Sequence, residues 1–302
     1  MWTLSIVAVS LASRLVNGVL SVKPLADLAR ARARDMMIKR AESIGVAWRQ
    51  EVAKLAERDW STDLAAVEDR ALVYPEYYLK PFHAYDRGNL CWEAALEVEV
   101  AAYAVHARIW PEAGAEGDGR LRRAFLDVLI PDLGRAPRDV LDLGCSVGMS
   151  TAALAEAFPT ARLVGVDLSP YFLSVARTCK RTLRAEWLHA PAEATNLPEA
   201  SFDLVTAFLV FHELPATAAR AVLAEARRLV RPGGTLALMD MNPRSEVYAR
   251  MPAYILTLLK STEPYLDEYF GLDLEGEIQR AGFTAPRIVP ISPRHRTVIA
   301  HG

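Results

Sequence analysis

Hydrophobic and polar positions follow two different rhythms along this chain. From about residue 138 onward, short apolar runs recur: DVLDLG, ARLVGVD, AEWLHA, FDLVTAF and TLALMDM. Runs of this length with β-branched content predict strands buried on both faces. Between most of them lie stretches with helical spacing, MSTAALAEAF, PYFLSVARTCKRTLR and ATAARAVLAEARRLV. Strands alternating with helices predict βαβ units and a parallel sheet covered on both sides, an α/β fold. A last pair, RIVPIS and RTVIAH, predicts a hairpin around SPRH that closes the sheet.

Upstream of 138 the rhythm is helical. Residues 25–60 are rich in Ala, Arg, Lys and Glu, and their charges read as a solvated helix face. The stretch YPEYYLKPFHAYDRGNLCW, 74–92, breaks the pattern with two prolines, a glycine and six aromatic side chains. A long helix follows in LCWEAALEVEVAAYAVHARIW, and PEAGAEGDGR, 111–120, reads as a flexible loop. The domain boundary is placed there or just after the next helix. Residues 1–130 then form a helical extension that serves as a lid on the substrate side, and residues 131–302 form the ligand-binding domain.

Residues 1–22 are strongly apolar, yet Thr3, Ser10, Ser13, Arg14, Asn17 and Ser21 recur at helical steps. They predict a helix with one polar stripe, ending near Pro24. Arg14 inside so short a run disfavours a membrane span, and the charge order is not that of a signal peptide. The favoured reading is a helix packed on the protein. The next is a helix lying in a membrane interface, and the last is a targeting remnant.

Composition narrows the class. The 302 residues are 52% hydrophobic and 24% charged, which is globular composition. A net charge of −2 gives no general attraction to nucleic acid. Three scattered cysteines, Cys91, Cys145 and Cys179, form neither a disulfide framework nor a metal pattern. A reducing, cytoplasmic location and a site without metal are expected.

The chemistry concentrates in DVLDLGCSVGMST, 139–151, a strand running into a glycine loop and then a helix. Such loops bring a ligand against backbone N–H groups at a helix start. NAD, FAD and S-adenosylmethionine all bind this way. The dinucleotide fingerprint wants a third glycine five residues after the first, and Met149 stands there instead. Asp142, two residues before Gly144, would repel a pyrophosphate and favour a cationic ligand; its alternative role is to brace the loop. Asp167, ending the second strand, is placed to take both ribose hydroxyls, a device that identifies adenosine without choosing among these ligands. Ser169 and Pro170 then supply the cap and first position of a helix.

Together DVLDLGCSVGMST, LVGVDLSP, HAPAEATNLPEASFDLV, FLVFHEL and RRLVRPGGTLALMD resemble the class I S-adenosylmethionine-dependent methyltransferases, in particular the small-molecule branch with ubiquinone- and sterol-type enzymes. The resemblance covers roughly 138–241. It implies a doubly wound, Rossmann-like seven-stranded sheet with an N-terminal helical extension. It implies S-adenosylmethionine as cofactor and S-adenosylhomocysteine as product. Asp142, Gly144, Ser146 and Gly148 would line the methionine end, Asp167 would hold the ribose and Leu168 would cover the adenine. Ala192 and Glu193 match the positions that meet adenine, and Phe208 would lie beside the methyl group. Pro191 stands where the family often has Asp, and it offers neither an N–H nor a carboxylate to a contact made there.

For catalysis, His212 in FLVFHEL follows the fourth strand, and its alternative is to cap or pack the next helix. His83 and Tyr85 form a second set, carried on the aromatic segment that would fold over the cofactor, or else anchors the N-terminal helices. Tyr265, Tyr269 and Phe270 are expected to wall the acceptor pocket, and Arg294 and His295 to lie on the surface. The nucleobase-methylation motifs are absent: FLVFHEL replaces an Asn/Asp-Pro-Pro-aromatic motif, and there is no Pro-Cys nucleophile. The expectation is methyl transfer to oxygen or carbon of a small, largely apolar molecule. Its rivals are a catalytically silent methyltransferase-like binding subunit, an NAD-dependent oxidoreductase, and a membrane-surface enzyme acting on a lipid or quinone and anchored by residues 1–22.

Overall fold

The computed structural model describes residues 23–83, 85–179 and 184–302. The stretch 1–22, with its membrane-surface reading, lies outside the described residues. No helix among the described residues is long and apolar enough to cross a membrane.

Seven strands form one sheet: β1 (Asp139–Leu143), β2 (Arg162–Asp167), β3 (Glu186–His189), β4 (Phe202–Phe208), β5 (Val230–Met241), β6 (Arg287–Pro290) and β7 (His295–His301). Their order is β3-β2-β1-β4-β5-β7-β6. The first five are parallel, whereas β7 runs antiparallel between β5 and β6. The chain leaves β1 to one side and returns at β4 on the other, so a crevice opens at their carboxyl ends.

Successive strand residues point to opposite faces, and both faces are covered. On one side Leu141, Leu143, Val205, Ala207, Leu236 and Leu238 pack under α8 (Ala216–Leu229) and α12 (Leu274–Arg280). On the other, Val140, Leu204, Phe208, Ala237 and Met239 meet α5 (Gly117–Leu129) and α6 (Met149–Ala157). α5 contributes Leu121, Phe125 and Leu129, all fully buried. This two-sided burial is why the strands read as unbroken apolar runs.

The N-terminal helices are α1 (Lys23–Ser43), α2 (Trp48–Ala56), α3 (Ser61–Val67) and α4 (Trp92–His106). Trp60, Ala94 and Ala95 pack with Val147 of the glycine loop and with Phe172 and Val175 of α7 (Pro170–Ala176). The extension therefore rests on the carboxyl edge of the sheet. Between β5 and β6 lie α9 (Glu246–Ala249), α10 (Ala253–Thr262), α11 (Leu266–Gly271) and α12. The Ser169 hydroxyl accepts from the Phe172 N–H at 3.2 Å, with Pro170 opening α7 as the sequence predicts.

Two expectations are corrected. Residues 111–120 are not a loose loop: Pro111–Glu116 form a 3₁₀ turn and α5 begins at Gly117. A Cβ at Gly117 would lie 2.6 Å from the His106 carbonyl, so glycine there serves a close approach of the α4 end. His295 is buried, not on the surface, because the predicted hairpin carries it into β7 opposite Met241. Its ring meets that of His106 edge-on at 5.9 Å, and burial holds its pKa down at about 3.

Phe125 tests whether α5 belongs to the cooperative core. We expect Phe125→Ala to lower stability by about 3–5 kcal/mol in urea unfolding, with one transition retained. A loss under about 1 kcal/mol would place α5 outside that unit.

Candidate active site

β1 ends in a loop of left-handed residues: Gly144 at φ 66°, Ser146 at φ 51° and Gly148 at φ 82°. Close approach adds to the demand for glycine. A Cβ on Gly144 would stand 2.5 Å from a Val210 methyl, and one on Gly148 would stand 2.9 Å from the Trp187 ring. Ser146 holds its strained backbone because its N–H donates to Asp167 at 2.8 Å. Its hydroxyl is buried and has no hydrogen-bond partner among the described residues.

Asp142 faces inward, 1% exposed. It accepts from the hydroxyls of Ser150 and Thr151, both at 2.7 Å, and from that of Thr206 at 3.1 Å. Burial raises its pKa against these three bonds. Both carboxylate oxygens are engaged in joining β1 to α6 and β4, which is the bracing geometry.

Asp167 ends β2 and accepts from the N–H groups of Ser146 and Ser169, each at 2.8 Å. Burial pushes its pKa up to about 6, although those amides pull it the other way. The segment Glu76–Leu79, a 3₁₀ turn in the aromatic stretch, lies against this edge. Tyr78 reaches Asp167 at 3.5 Å, and Tyr77 donates to both oxygens of Glu193 at 2.8 and 3.0 Å. Burial holds both phenols above their ordinary range, with Glu193 adding to the effect at Tyr77 and Asp167 at Tyr78. His189 ties Tyr74, the Leu168 carbonyl and the Asp69 N–H together at 3.2, 3.1 and 2.9 Å. Leu168 is buried, and Ala192 and Glu193 are half-buried.

These residues fit an adenosyl ligand. A carboxylate at the strand end suits a ribose diol. The unpartnered Ser146 hydroxyl, in the loop between β1 and α6, needs a polar group that the protein does not supply.

Beyond β4 an acid–imidazole cluster assembles. Leu209, at φ 56°, turns the chain, Val210 settles on Gly144, and His212 follows in a 3₁₀ turn. The Asp240 carboxylate at the end of β5 lies 2.8 Å from His212 Nδ1 and accepts from the His212 N–H at 3.2 Å. An ionised carboxylate only accepts, so Nδ1 carries a proton and Nε2 is the nitrogen free to exchange one. Burial opposes the imidazolium. Asp240 overrides it, with Glu263 and Glu213 adding to the effect, and the pKa rises to about 10. Glu213 is driven the other way, up to about 7, by burial against the pull of His83 and His212.

His83 joins this cluster from the aromatic segment. Its Nε2 stands 3.0 Å from Glu263 and 3.8 Å from Glu213, and its N–H donates to the Thr262 carbonyl at 3.2 Å. Its backbone is left-handed at φ 49°. Burial alone would lower its pKa, but Glu263 and Glu213 raise it.

Two other sequence-selected residues lie apart. The Tyr85 hydroxyl donates to Glu97 on α4 at 2.7 Å, a carboxylate also held by Arg34. The Phe208 ring packs 4.5 Å from Phe125 on the α5 side of the sheet. Of the proposed pocket walls, Tyr265 donates to the Tyr77 carbonyl at 3.3 Å, and Tyr269 donates to Met241 at 2.7 Å from within the core. Sequence reasoning gave no role to Asp240, Glu263, Tyr77, Tyr78 or Val210. Asp240 alone had a local signal, an acid closing the apolar run TLALMD, as Asp167 closes β2.

A methyltransferase-domain family matches residues 140–234. A trans-aconitate 2-methyltransferase of Azoarcus is 44% identical over 110 residues, which is 35% of this chain and only 42% of that protein. An uncharacterized methyltransferase of Synechocystis is 32% identical over 164 residues, 54% of this chain and 75% of that one. Among solved structures, the phosphoethanolamine N-methyltransferase 2 of Haemonchus contortus with S-adenosyl-L-methionine shares the fold at a TM-score of 0.53 and 15% identity. That likeness covers 78% of this chain and 61% of that one. The sheet order, the glycine loop, the strand-end Asp167 and these relatives agree, and the chain belongs to the class I S-adenosylmethionine-dependent methyltransferases.

Proposed function

We propose that this protein methylates a hydroxyl oxygen of a small organic acceptor, with His212 as general base and Asp240 as the group that orients it. The buried dyad at 2.8 Å carries this reading. It stands at the carboxyl ends of β4 and β5, two residues beyond Val210, which rests on the glycine loop. When bound, the cofactor supplies a sulfonium methyl group open to in-line attack.

The protein's own tasks follow. Asp167 accepts from the ribose hydroxyls, and Leu168, Ala192 and Glu193 frame the adenine. Gly144, Ser146 and Gly148 hold the methionine end, with the Ser146 hydroxyl completing its hydrogen bonding on that end. Tyr77 and Tyr78 cover the adenosyl edge and keep water out. His212 Nε2 takes the acceptor's proton, and Asp240 stabilises the imidazolium that results. Alignment contributes the larger share of the rate, since positioning two reactants removes about 7–11 kcal/mol of barrier. A relative described as acting on trans-aconitate supports a small acceptor.

Cofactor binding can be tested apart from catalysis. We expect Asp167→Ala to weaken S-adenosylhomocysteine by about 1.5–3 kcal/mol in calorimetry, since the ribose loses a charged partner. In the unaltered protein, affinity is expected to fall as pH drops through about 6, where Asp167 takes up a proton. A flat affinity from pH 5 to 8 would remove Asp167 from the ribose.

The base has its own signature. His212→Gln is expected to lower turnover by about 10²-fold or more with S-adenosylhomocysteine affinity kept. Because the pKa of His212 lies at about 10, the base form grows about tenfold per pH unit from neutrality, and the rate should climb with it. Asp240→Asn withdraws the charge that holds the proton, so the rising limb should move to lower pH while the plateau drops. A pH-independent rate in both proteins would leave catalysis to alignment alone.

A further inference from the structure

Glu263 is the strongest unexplained group beside the dyad. It is 8% exposed, and its Oε2 is buried with no hydrogen-bond partner among the described residues. Its other oxygen is held by His83 at 3.0 Å, and the same imidazole nitrogen lies 3.8 Å from Glu213. The three carboxylates Glu213, Glu263 and Asp240 thus stand against two imidazoles, His83 and His212. Above about pH 7, where Glu213 is ionised, one negative charge is left over even with both imidazoles charged. No lysine or arginine is ion-paired to Glu213 or Glu263 among the described residues.

A buried carboxylate oxygen without a donor is costly, by about 1–3 kcal/mol or more for a charged group. A ligand can remove that cost by bringing N–H groups. Acidic acceptors are repelled by the surplus charge, and a hydroxyl offers one donor without charge. An ammonium offers three donors and the missing positive charge.

We propose that Glu213 and Glu263 form a cation subsite of the acceptor pocket, and that the acceptor is an amino alcohol or amino phenol whose protonated amine binds there. The inference rests on the methyl-transfer reading for the word acceptor, but the subsite is readable without it. The ammonium donates to Glu263 Oε2 and to Glu213, while His83 keeps Glu263 Oε1. The hydroxyl of the same molecule is then held at the neighbouring His212. The Glu213 charge acts on the nearby Tyr78 phenol, and Tyr77 packs edge-on against both Tyr78 and Tyr265 at 6.5 and 6.4 Å.

Three phenols that differ only in the end of the tail test this: tyramine (cationic), 4-ethylphenol (neutral) and 4-hydroxyphenylacetate (anionic). Each is titrated calorimetrically into the full chain, with and without saturating S-adenosylhomocysteine. We expect tyramine to bind about tenfold or more tighter than 4-ethylphenol, and 4-hydroxyphenylacetate to bind weakest. Glu263→Gln should abolish the tyramine preference while 4-ethylphenol and S-adenosylhomocysteine bind as before. Glu213→Gln should reduce the same preference, which gives a second readout if the first variant fails to fold. Equal binding of the three phenols, binding by none, or a tyramine preference that survives both substitutions overturns the subsite. Failure of the methyltransferase reading shows separately, as no S-adenosylhomocysteine binding by the unaltered protein.

Discussion

The site depends on one buried carboxylate. Asp142 is taken out of water at the end of β1, and an isolated charge there would cost several kcal/mol. Hydroxyls from Ser150, Thr151 and Thr206 offset that cost, and each comes from a neighbouring element. α6 is thereby drawn back onto β1, which forces the intervening loop into its sharp left-handed turns at Gly144, Ser146 and Gly148. The tight loop lets Val210 settle on Gly144, and Val210 fixes the start of the turn that carries His212 to Asp240. Cofactor loop and dyad are therefore parts of one arrangement, held by packing and three hydroxyl bonds.

Much of this was legible in the sequence where the signal is local. Strand ends with an acid, a Ser-Pro helix start and glycines at set spacing all act within a few residues of themselves. Asp167, Ser169 and the loop glycines accordingly stand where they were expected. The strand order, with its closing hairpin, agrees with the α/β reading because both sheet faces demand apolar residues. What stayed hidden is long-range. Tyr78 meets Asp167 across 89 positions and Tyr77 meets Glu193 across 116, and an aromatic-rich segment states only that it will pack somewhere. Residues 111–120 misled because glycine marks close approach as readily as a turn, and Gly117 serves the former. His295 misled because a histidine at a hairpin looks solvated until the strand pairing buries it.

The acid–imidazole cluster has a further physical property: its members come from four separate places. His83 arrives on the aromatic segment, His212 and Glu213 after β4, Asp240 at the end of β5, and Glu263 after α10. Each carboxylate would be costly to bury alone, and each imidazole would lose its proton. The acids raise the pKa of both imidazoles against burial, so the cluster ties the N-terminal segment to the C-terminal helices. The left-handed backbone of His83 fits this account. Strain of about 1–3 kcal/mol persists only where surrounding bonds over-determine it, and His83 is held by both its N–H and its ring.

The dyad's high basicity then has a double meaning. In methyl transfer to a hydroxyl, one positive charge disappears at sulfur and one appears on the base. The Asp240 carboxylate that raises His212 to about 10 is the same group that steadies this arriving charge. The cost is that nearly all of the imidazole is already protonated at neutral pH. An ammonium bound at Glu213 and Glu263 relieves that cost, because a cation there opposes a second charge on His212 and lowers its proton affinity. On these readings the acceptor's own charge moves its base toward the working range. A carboxylate acceptor would do the reverse, and that asymmetry is a physical reason for the surplus of acid in this corner of the fold.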